Sequence, residues 1–217
     1  MPDLLNLMLR IPAALSTEAC DAIVHAFGAD PQQHNAYRES SLHAVSGQRV
    51  ESTFSAVSLT PGSAMFVCVH EATSVAIARW LHHLQAQGRF NTRLLRNRLR
   101  YSHDYRVLRY APGASIHPHT DWDEFTLASC TLALNDDFRG GELRFFQGEH
   151  LAELRKGDAL IWPADCFWVH EVTPVESGTR YSVNSFITSI PESEKAQIAS
   201  RLNALAPQAW QTPYRHT

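Results

Sequence analysis

Hydrophobic residues recur along this chain with two different periods. Over residues 16–27, Ala19, Ile23, Val24 and Phe27 return at the three- and four-residue spacing of one helix face. They lie behind Ser16 and Thr17, whose hydroxyls suit the free N–H groups of a first helical turn. A second helix is predicted from about Ser63 to Gln87, with Gly88 as its stop. A third opens at Ser193-Glu194 after Pro191, runs through 196–206 and ends before Pro207. Between about Tyr101 and Ile190 the period shortens. Apolar runs over 105–110, 126–134, 142–146, 159–162, 170–173 and 181–188 are rich in β-branched and aromatic residues and are separated by Pro, Gly, Asn and Asp. Runs of this kind at intervals of about a dozen residues predict an all-β sandwich or jelly roll. The expected fold is mainly β with flanking helices (α+β), as a single domain over 1–217. Its parts are a helical buttress with substrate loops over 1–100, a β core over 101–190, and a C-terminal helix and tail over 191–217.

Composition narrows the class. The 217 residues are 44% hydrophobic and 19% charged, a globular balance. Nineteen Lys and Arg against 22 Asp and Glu give a net charge of -3, which argues against wrapping nucleic acid or an anionic membrane. No run approaches the ~18 consecutive apolar residues of a membrane span, and the N-terminus lacks a basic region followed by an apolar core. Cys20, Cys68, Cys130 and Cys166 are scattered without a CxxC pair, as reduced thiols of a cytoplasmic protein would be. Arg89, Arg93, Arg96, Arg98, Arg100, Arg106 and Arg109 form a basic cluster, expected to be a solvated face. The one compositional excess is histidine, with 12 residues.

Candidate chemistry starts from His119-Thr120-Asp121, the only His-x-Asp in the chain and by itself a weak motif. On a strand, residues i and i+2 point to the same side, so both side chains could face one ion. His170, in another predicted strand, would complete two histidines and a carboxylate. That is the facial triad of non-haem Fe(II) oxygenases, which leaves coordination positions open. Arg180 opens the next strand. An arginine fixed inside a barrel needs an anionic partner, and its planar fork suits a carboxylate held bidentately.

A longer ordered series contains these residues. It begins with Tyr110-Ala111-Pro112-Gly113 and His119-x-Asp121, followed by Leu134-Asn135 and Gly140-Gly141-Glu142-Leu143-x-Phe145. Lys156-Gly157-Asp158-Ala159-Leu160-Ile161 comes next, then His170-Glu171-Val172-x-Pro174-Val175-x-x-Gly178-x-Arg180-Tyr181-Ser182. Over about Arg106 to Phe186, slightly more than a third of the chain, this series resembles the Fe(II)/2-oxoglutarate-dependent dioxygenases in their prolyl-hydroxylase-like branch. Gly140-Gly141 would permit a tight turn with positive φ before an edge strand. Gly157-Asp158 would turn the chain into the strand leading to His170, and Pro174 and Gly178 would bracket the hairpin that returns it at Arg180.

The resemblance implies a double-stranded β-helix holding Fe(II) through His119, Asp121 and His170. It also implies 2-oxoglutarate and O2 as co-substrates, ascorbate as reductant in vitro, and release of succinate and CO2. Arg180 would hold the far carboxylate of 2-oxoglutarate, with Tyr110 close by. If Tyr110 faces inward, strand alternation turns Leu108 and Arg106 inward too. The same alternation groups Ser129, Thr131 and Ala133 on one face, and Arg180, Ser182, Asn184 and Phe186 on another. Asn184 and Phe186 would line the space near iron. Some relatives place a tyrosine where Ala133 stands here, so Thr131 or Ser182 takes its part, or Arg180 acts alone. Trp122, Trp162 and Trp168 line a substrate mouth or pack at the barrel rim. Asp121 supplies an anionic ligand and leaves no vacancy for halide, which favours hydroxylation, although desaturation or ring formation follows from the same hydrogen abstraction. The expected substrate is a small molecule, a free amino acid or a peptidyl residue, and an inward Arg106 favours one bearing a carboxylate.

Three alternatives use the same residues. A cupin-type metal centre would take His117, His119, Glu124 and His170, but its glycine spacing fails here and it leaves Arg180 unexplained. A non-catalytic barrel binding a small acid would usually carry a broken triad. An alkylated nucleic-acid substrate has only the arginine cluster in its favour.

Overall fold

The computed structural model describes residues 4–29, 36–37, 40–121, 125–191, 193–198 and 200–201. Strand β1 (Leu9–Ile11) leads into helix α1 (Thr17–Ala29), then β2 (Ala36–Tyr37), β3 (Ser40–Leu42), β4 (Arg49–Glu51) and β5 (Phe54–Ser58). Helices α2 (Ala64–Ala86) and α3 (Thr92–Arg98) precede β6 (Tyr101–Tyr110), β7 (Ile116–His119), β8 (Thr126–Ala133), β9 (Arg139–Gly140) and β10 (Leu143–Phe145). The last strands are β11 (His150–Ala152), β12 (Ala159–Pro163), β13 (His170–Val172), β14 (Val175–Ser177) and β15 (Arg180–Thr188). Residues 193–198 are helical. Among the described residues, a major sheet runs β1-β12-β8-β15-β6-β5-β2 and a minor sheet β11-β10-β13-β7, with every pair antiparallel. This is the double-stranded β-helix.

Period-two alternation divides the core into two layers. On the helix side of the major sheet, Tyr105, Val107, Cys130, Leu132, Ile161, Val183 and Ile187 pack against Cys20, Ile23 and Phe27 of α1 and Val69, Ala76, Trp80 and Leu84 of α2. On the other side, Leu108, Tyr110, Leu160 and Trp162 meet Ile116, Leu143, Phe145 and Val172 of the minor sheet. Side-chain caps start the helices as their sequences predict. Ser16 Oγ accepts from Ala19 N at 3.2 Å, and Ser63 Oγ from Phe66 N at 3.2 Å. Helix α2 is long and apolar enough to cross a membrane by length and composition. Its buried face nonetheless belongs to the core, and Trp80 Nε1 donates to Leu7 O at 2.7 Å.

The six predicted strands of the β core are present, with ends shifted by a few residues at most. The N-terminal hundred residues are more than a helical buttress. β1 pairs with β12, and β5 with β6, so both extend the major sheet, and α3 is an unpredicted short helix. The expected end of the third helix lies outside the described residues. Gly140 and Gly141 both take positive φ, 66° and 60°, but the strand that follows is interior, between β11 and β13. Gly157 also turns with φ 87°, and a Cβ there would sit 2.4 Å from Leu15 O. Asp158 does more than turn the chain. Its buried carboxylate accepts from Arg10 Nε at 2.8 Å, Ala13 N at 3.1 Å and Arg155 N at 2.9 Å, fastening the N-terminal segment to the barrel.

Candidate active site

The minor sheet sets two histidines side by side. β13 pairs with β7 so that His170 stands opposite His119, with ring centroids 4.3 Å apart. Each imidazole is oriented by its own backbone. His119 Nδ1 donates to His117 O at 2.9 Å and His170 Nδ1 to Trp168 O at 2.9 Å. A carbonyl can only accept, so Nδ1 of each ring carries a proton, and Nε2 is the ring atom turned towards Asp121. Phe145 stacks on His170 at 5.4 Å between centroids, and Trp162 meets it edge-on at 5.3 Å.

Asp121 completes the group by a route other than strand alternation. β7 ends at His119, and Asp121 sits in the irregular segment beyond it. Its Oδ1 lies 3.6 Å from His119 Nε2 and its Oδ2 3.4 Å from His170 Nε2. The three donor atoms fall within 4.8 Å of one another. Burial holds the His170 imidazolium down to about 4, against the opposing pull of the Asp121 charge, so the ring is neutral at pH 7. Burial pushes the Asp121 carboxyl up, but the two histidines outweigh it and keep the group well below the usual carboxylate range. The result is two imidazoles, that of His170 neutral, and one carboxylate whose donor atoms converge, a set that fits a divalent transition-metal ion.

These residues occupy one side of a cavity of about 320 Å³ between the two sheets, and Arg180 occupies another part of its wall. Arg180 is 6% exposed. Among the described residues no carboxylate pairs with it. Its Nη1 donates to Ser182 Oγ at 3.2 Å, and its Cζ lies 5.1 Å from the centre of the Tyr110 ring. Burial lowers its pKa, the cost expected of a cation in a dry site. Room for the side chain comes from Gly141, since a Cβ there would lie 3.2 Å from Arg180 Cδ.

Arg106, Leu108 and Tyr110 line the cavity, as alternation from Tyr110 predicts, and so do Thr131, Asn184 and Phe186, whereas Ser129, Ala133 and Ser182 are not among its lining residues. The open question at Thr131 and Ser182 resolves into two different contacts. Thr131 Oγ1 donates to Asn184 Oδ1 at 2.7 Å, which commits its proton, whereas Ser182 supports the Arg180 guanidinium. Trp162 lies on the cavity wall. Trp168 does not belong to the rim, because it is 1% exposed and packs on Phe145 and Phe146 in the core. Trp122 lies outside the described residues, as does Glu124 of the cupin set. The convergent donors include Asp121 and not His117, unlike that set. Sequence reasoning missed Phe54, Asp104 and Lys195 as cavity residues. Asp104 could have been found by carrying the alternation two residues back from Arg106. Phe54 sits on an unpredicted strand, and nothing in the sequence marks Lys195.

Comparison with known proteins agrees with this geometry. Residues 105–188 match the family described as the 2OG-Fe(II) oxygenase superfamily. Human procollagen-lysine,2-oxoglutarate 5-dioxygenase 2 is 36% identical over 84 residues, which are 37% of this chain and 11% of that protein. The match thus spans about a tenth of the length of that relative. The viral collagen prolyl hydroxylase of Paramecium bursaria Chlorella virus-1, solved as a 2OG complex, superposes with a TM-score of 0.60 at 18% identity, covering 85% of this chain and 97% of its own. A Trichoplax adhaerens prolyl hydroxylase, solved with a hypoxia-inducible-factor peptide fragment, gives 0.62 at 15% identity over 88% of this chain and 87% of its own. Residues 105–188, which supply most of the cavity wall, are thus similar to the 2OG-Fe(II) oxygenase superfamily over less than half of the chain, and the prolyl hydroxylases share its fold.

Proposed function

We propose that this chain is a non-haem Fe(II)- and 2-oxoglutarate-dependent dioxygenase that hydroxylates an unactivated C–H bond of a small molecule, amino acid or peptidyl residue. The observation that carries the proposal is Arg180. A buried guanidinium with a serine and an aromatic ring as partners is a standing electrostatic deficit, and it shares its cavity with a convergent His119–Asp121–His170 donor set. A dicarboxylate spanning the cavity removes that deficit.

His119, Asp121 and His170 would hold the iron, and Asp121 offsets part of its charge. Iron bound there with 2-oxoglutarate and O2 supplies the oxidising power for C–H attack, with release of succinate and CO2. Arg180 would grip the far carboxylate, kept in its rotamer by Ser182 and the Tyr110 face. Phe145 and Trp162 fix the His170 ring and exclude water behind it. The Nδ1 contacts of both histidines hold their protons away from the metal side. Asn184, anchored by Thr131, and Phe186 would shape the space beside the reacting carbon.

The test is succinate release by the purified chain with Fe(II), ascorbate, 2-oxoglutarate and a metabolite or peptide pool, with mass spectrometry for the gain of one oxygen. Asp121→Ala should abolish turnover and weaken Mn(II) binding while leaving the fold intact. Tight co-substrate binding with no succinate from any pool would instead identify a non-catalytic acid-binding barrel.

A further inference from the structure

A chain of hydrogen bonds runs along one face of β15, from the guanidinium towards the metal donors. Arg180 Nη1 donates to Ser182 Oγ at 3.2 Å and Ser182 Oγ to Asn184 Oδ1 at 3.4 Å. Thr131 Oγ1, from β8, donates to the same Asn184 oxygen at 2.7 Å. Alternation sets the three β15 side chains in line, and pairing places Asn184 between Thr131 on one side and Arg106 on the other. The next row of the same face holds Phe186, Ser129 and Trp162, and Trp162 meets the His170 ring. Asn184 thus stands between Arg180 and the level of the metal donors.

This chain fixes which way the Asn184 amide faces. Thr131 and Ser182 are both buried, and each hydroxyl has one proton to donate. A guanidinium only donates, so Ser182 sends its own proton onwards, and Asn184 Oδ1 receives it together with that of Thr131. With the amide turned round, its nitrogen would face two donors, and two buried hydroxyl protons would lose their acceptor. The amide oxygen therefore belongs to the wall and the amide nitrogen to the cavity that Asn184 lines. Among the described residues nothing there accepts from it. Donation from Arg180 through Ser182 into the amide also polarises the N–H groups and strengthens them as donors.

We propose that Asn184 binds the co-substrate directly, its amide N–H donating to an oxygen at the keto-acid end of the diacid that Arg180 holds by the far carboxylate. This rests on the dioxygenase function proposed above. A keto acid that chelates a metal ion through its keto oxygen and one carboxylate oxygen keeps the second carboxylate oxygen uncoordinated. Inside a cavity that oxygen needs a donor. Thr131, the neighbouring hydroxyl, has already committed its proton to Asn184. The amide is neutral, so it meets the oxygen without the desolvation cost that a second buried cation would carry. Arg180 and Asn184 then hold the two ends of one ligand from a single strand, with Ser182 tying them together.

The experiment titrates two probes into the Mn(II)-loaded full chain by calorimetry. N-oxalylglycine carries both ends of the diacid, whereas oxalate carries a chelating end without the far carboxylate. Asn184→Ala should weaken both probes by a similar factor, about 10- to 100-fold, as expected for loss of a hydrogen bond to a charged group. Arg180→Met should weaken N-oxalylglycine far more than oxalate. Asn184→Asp keeps an acceptor for Thr131 and Ser182 and replaces the donor with a carboxylate, so it should weaken both probes at least as much as alanine does. The melting temperature with Mn(II) alone shows that each variant is folded and loaded. Should Asn184→Ala fail to fold, Asn184→Asp carries the same expectation. A loss confined to N-oxalylglycine in Asn184→Ala would mean that Asn184 acts only through Ser182 on Arg180. Unchanged affinity for both probes would place the amide away from the co-substrate. Either result overturns the contact and leaves the dioxygenase function standing. Failure of the parent chain to bind N-oxalylglycine in the presence of Mn(II) would overturn the dioxygenase function, and the contact with it.

Discussion

Replacing Arg180 by methionine should make the ligand-free protein more stable and the liganded protein less so. The side chain is 6% exposed and has no carboxylate partner among the described residues. Burying one charge costs several kcal/mol even after relaxation. The Ser182 bond offsets about 1.5–3 kcal/mol of this, less at its 3.2 Å length, and the Tyr110 face about 0.5–2 kcal/mol. A net deficit of about 1–3 kcal/mol remains. Methionine is unbranched and fills the same space without it. For a chain of this size, each kcal/mol moves Tm by about 2–4 °C, so the apo variant should melt roughly 2–12 °C higher. Mn(II) with N-oxalylglycine at a hundredfold excess over its Kd stabilises the parent by about 2.7 kcal/mol. Loss of the charge-assisted pair weakens the analogue by about 10- to 1,000-fold, leaving ~1.4 kcal/mol or less at the same concentration. Differential scanning calorimetry with and without the analogue measures both effects. A lower apo Tm together with an intact analogue shift would refute the claim that Arg180 is held in deficit for an anion.

Three further outcomes follow from the same contacts. His170 is held at about 4 by burial against an ordinary 6.5, so the unfolded chain binds a proton there that the folded one refuses. Stability of the metal-free protein is therefore full above pH 6.5 and falls as pH drops towards 4, by about 3 kcal/mol; urea melts should show this slope flattened in His170→Gln. Gly141→Ala places a side chain on left-handed backbone and a Cβ 2.8 Å from Val175 Cγ2. It should cost about 1–3 kcal/mol and, by crowding Arg180, weaken N-oxalylglycine in a titration. Asp158→Asn removes the charge that Arg10 meets at 2.7 Å. Arg10 is 42% exposed, so the loss should stay near 1–3 kcal/mol in denaturant melts, with analogue binding unchanged.

Six strands between 105 and 188 were legible because each has an apolar run closed by turn residues, whereas the short β7, β9, β11 and β14 carry no such run. Alternation from Tyr110 then turned Arg106 and Leu108 inward. β1 and β5 carried no comparable signal. Leu9–Ile11 is three residues long, and Phe54–Ser58 mixes small and polar side chains; their extended state is set by pairing to β12 and β6, which local sequence does not encode. Asp121 was found by a motif whose strand geometry does not hold, since the strand stops at His119 and the loop supplies the convergence. Asp104 was missed although β6 alternates without a break from Tyr110 back to it, because the apolar run that marks this strand in the sequence begins only at Tyr105.

The inner face of the major sheet breaks its own packing rule at one place. On the helix side, β8 presents Ala128, Cys130 and Leu132, as a sandwich core requires. On the opposite side, Leu160, Trp162 and Leu108 continue the apolar layer, but Thr131, Arg180, Ser182 and Asn184 interrupt it. Stability alone favours apolar side chains at those four positions. Their polarity is locally costly, and Thr131, Arg180 and Asn184 share a cavity with the His119–Asp121–His170 donors. Low dielectric penalises unpaired polar groups and strengthens paired ones. A dicarboxylate entering this cavity would convert the penalty at Arg180 into affinity, which water-exposed arginines such as those of α3 could not supply.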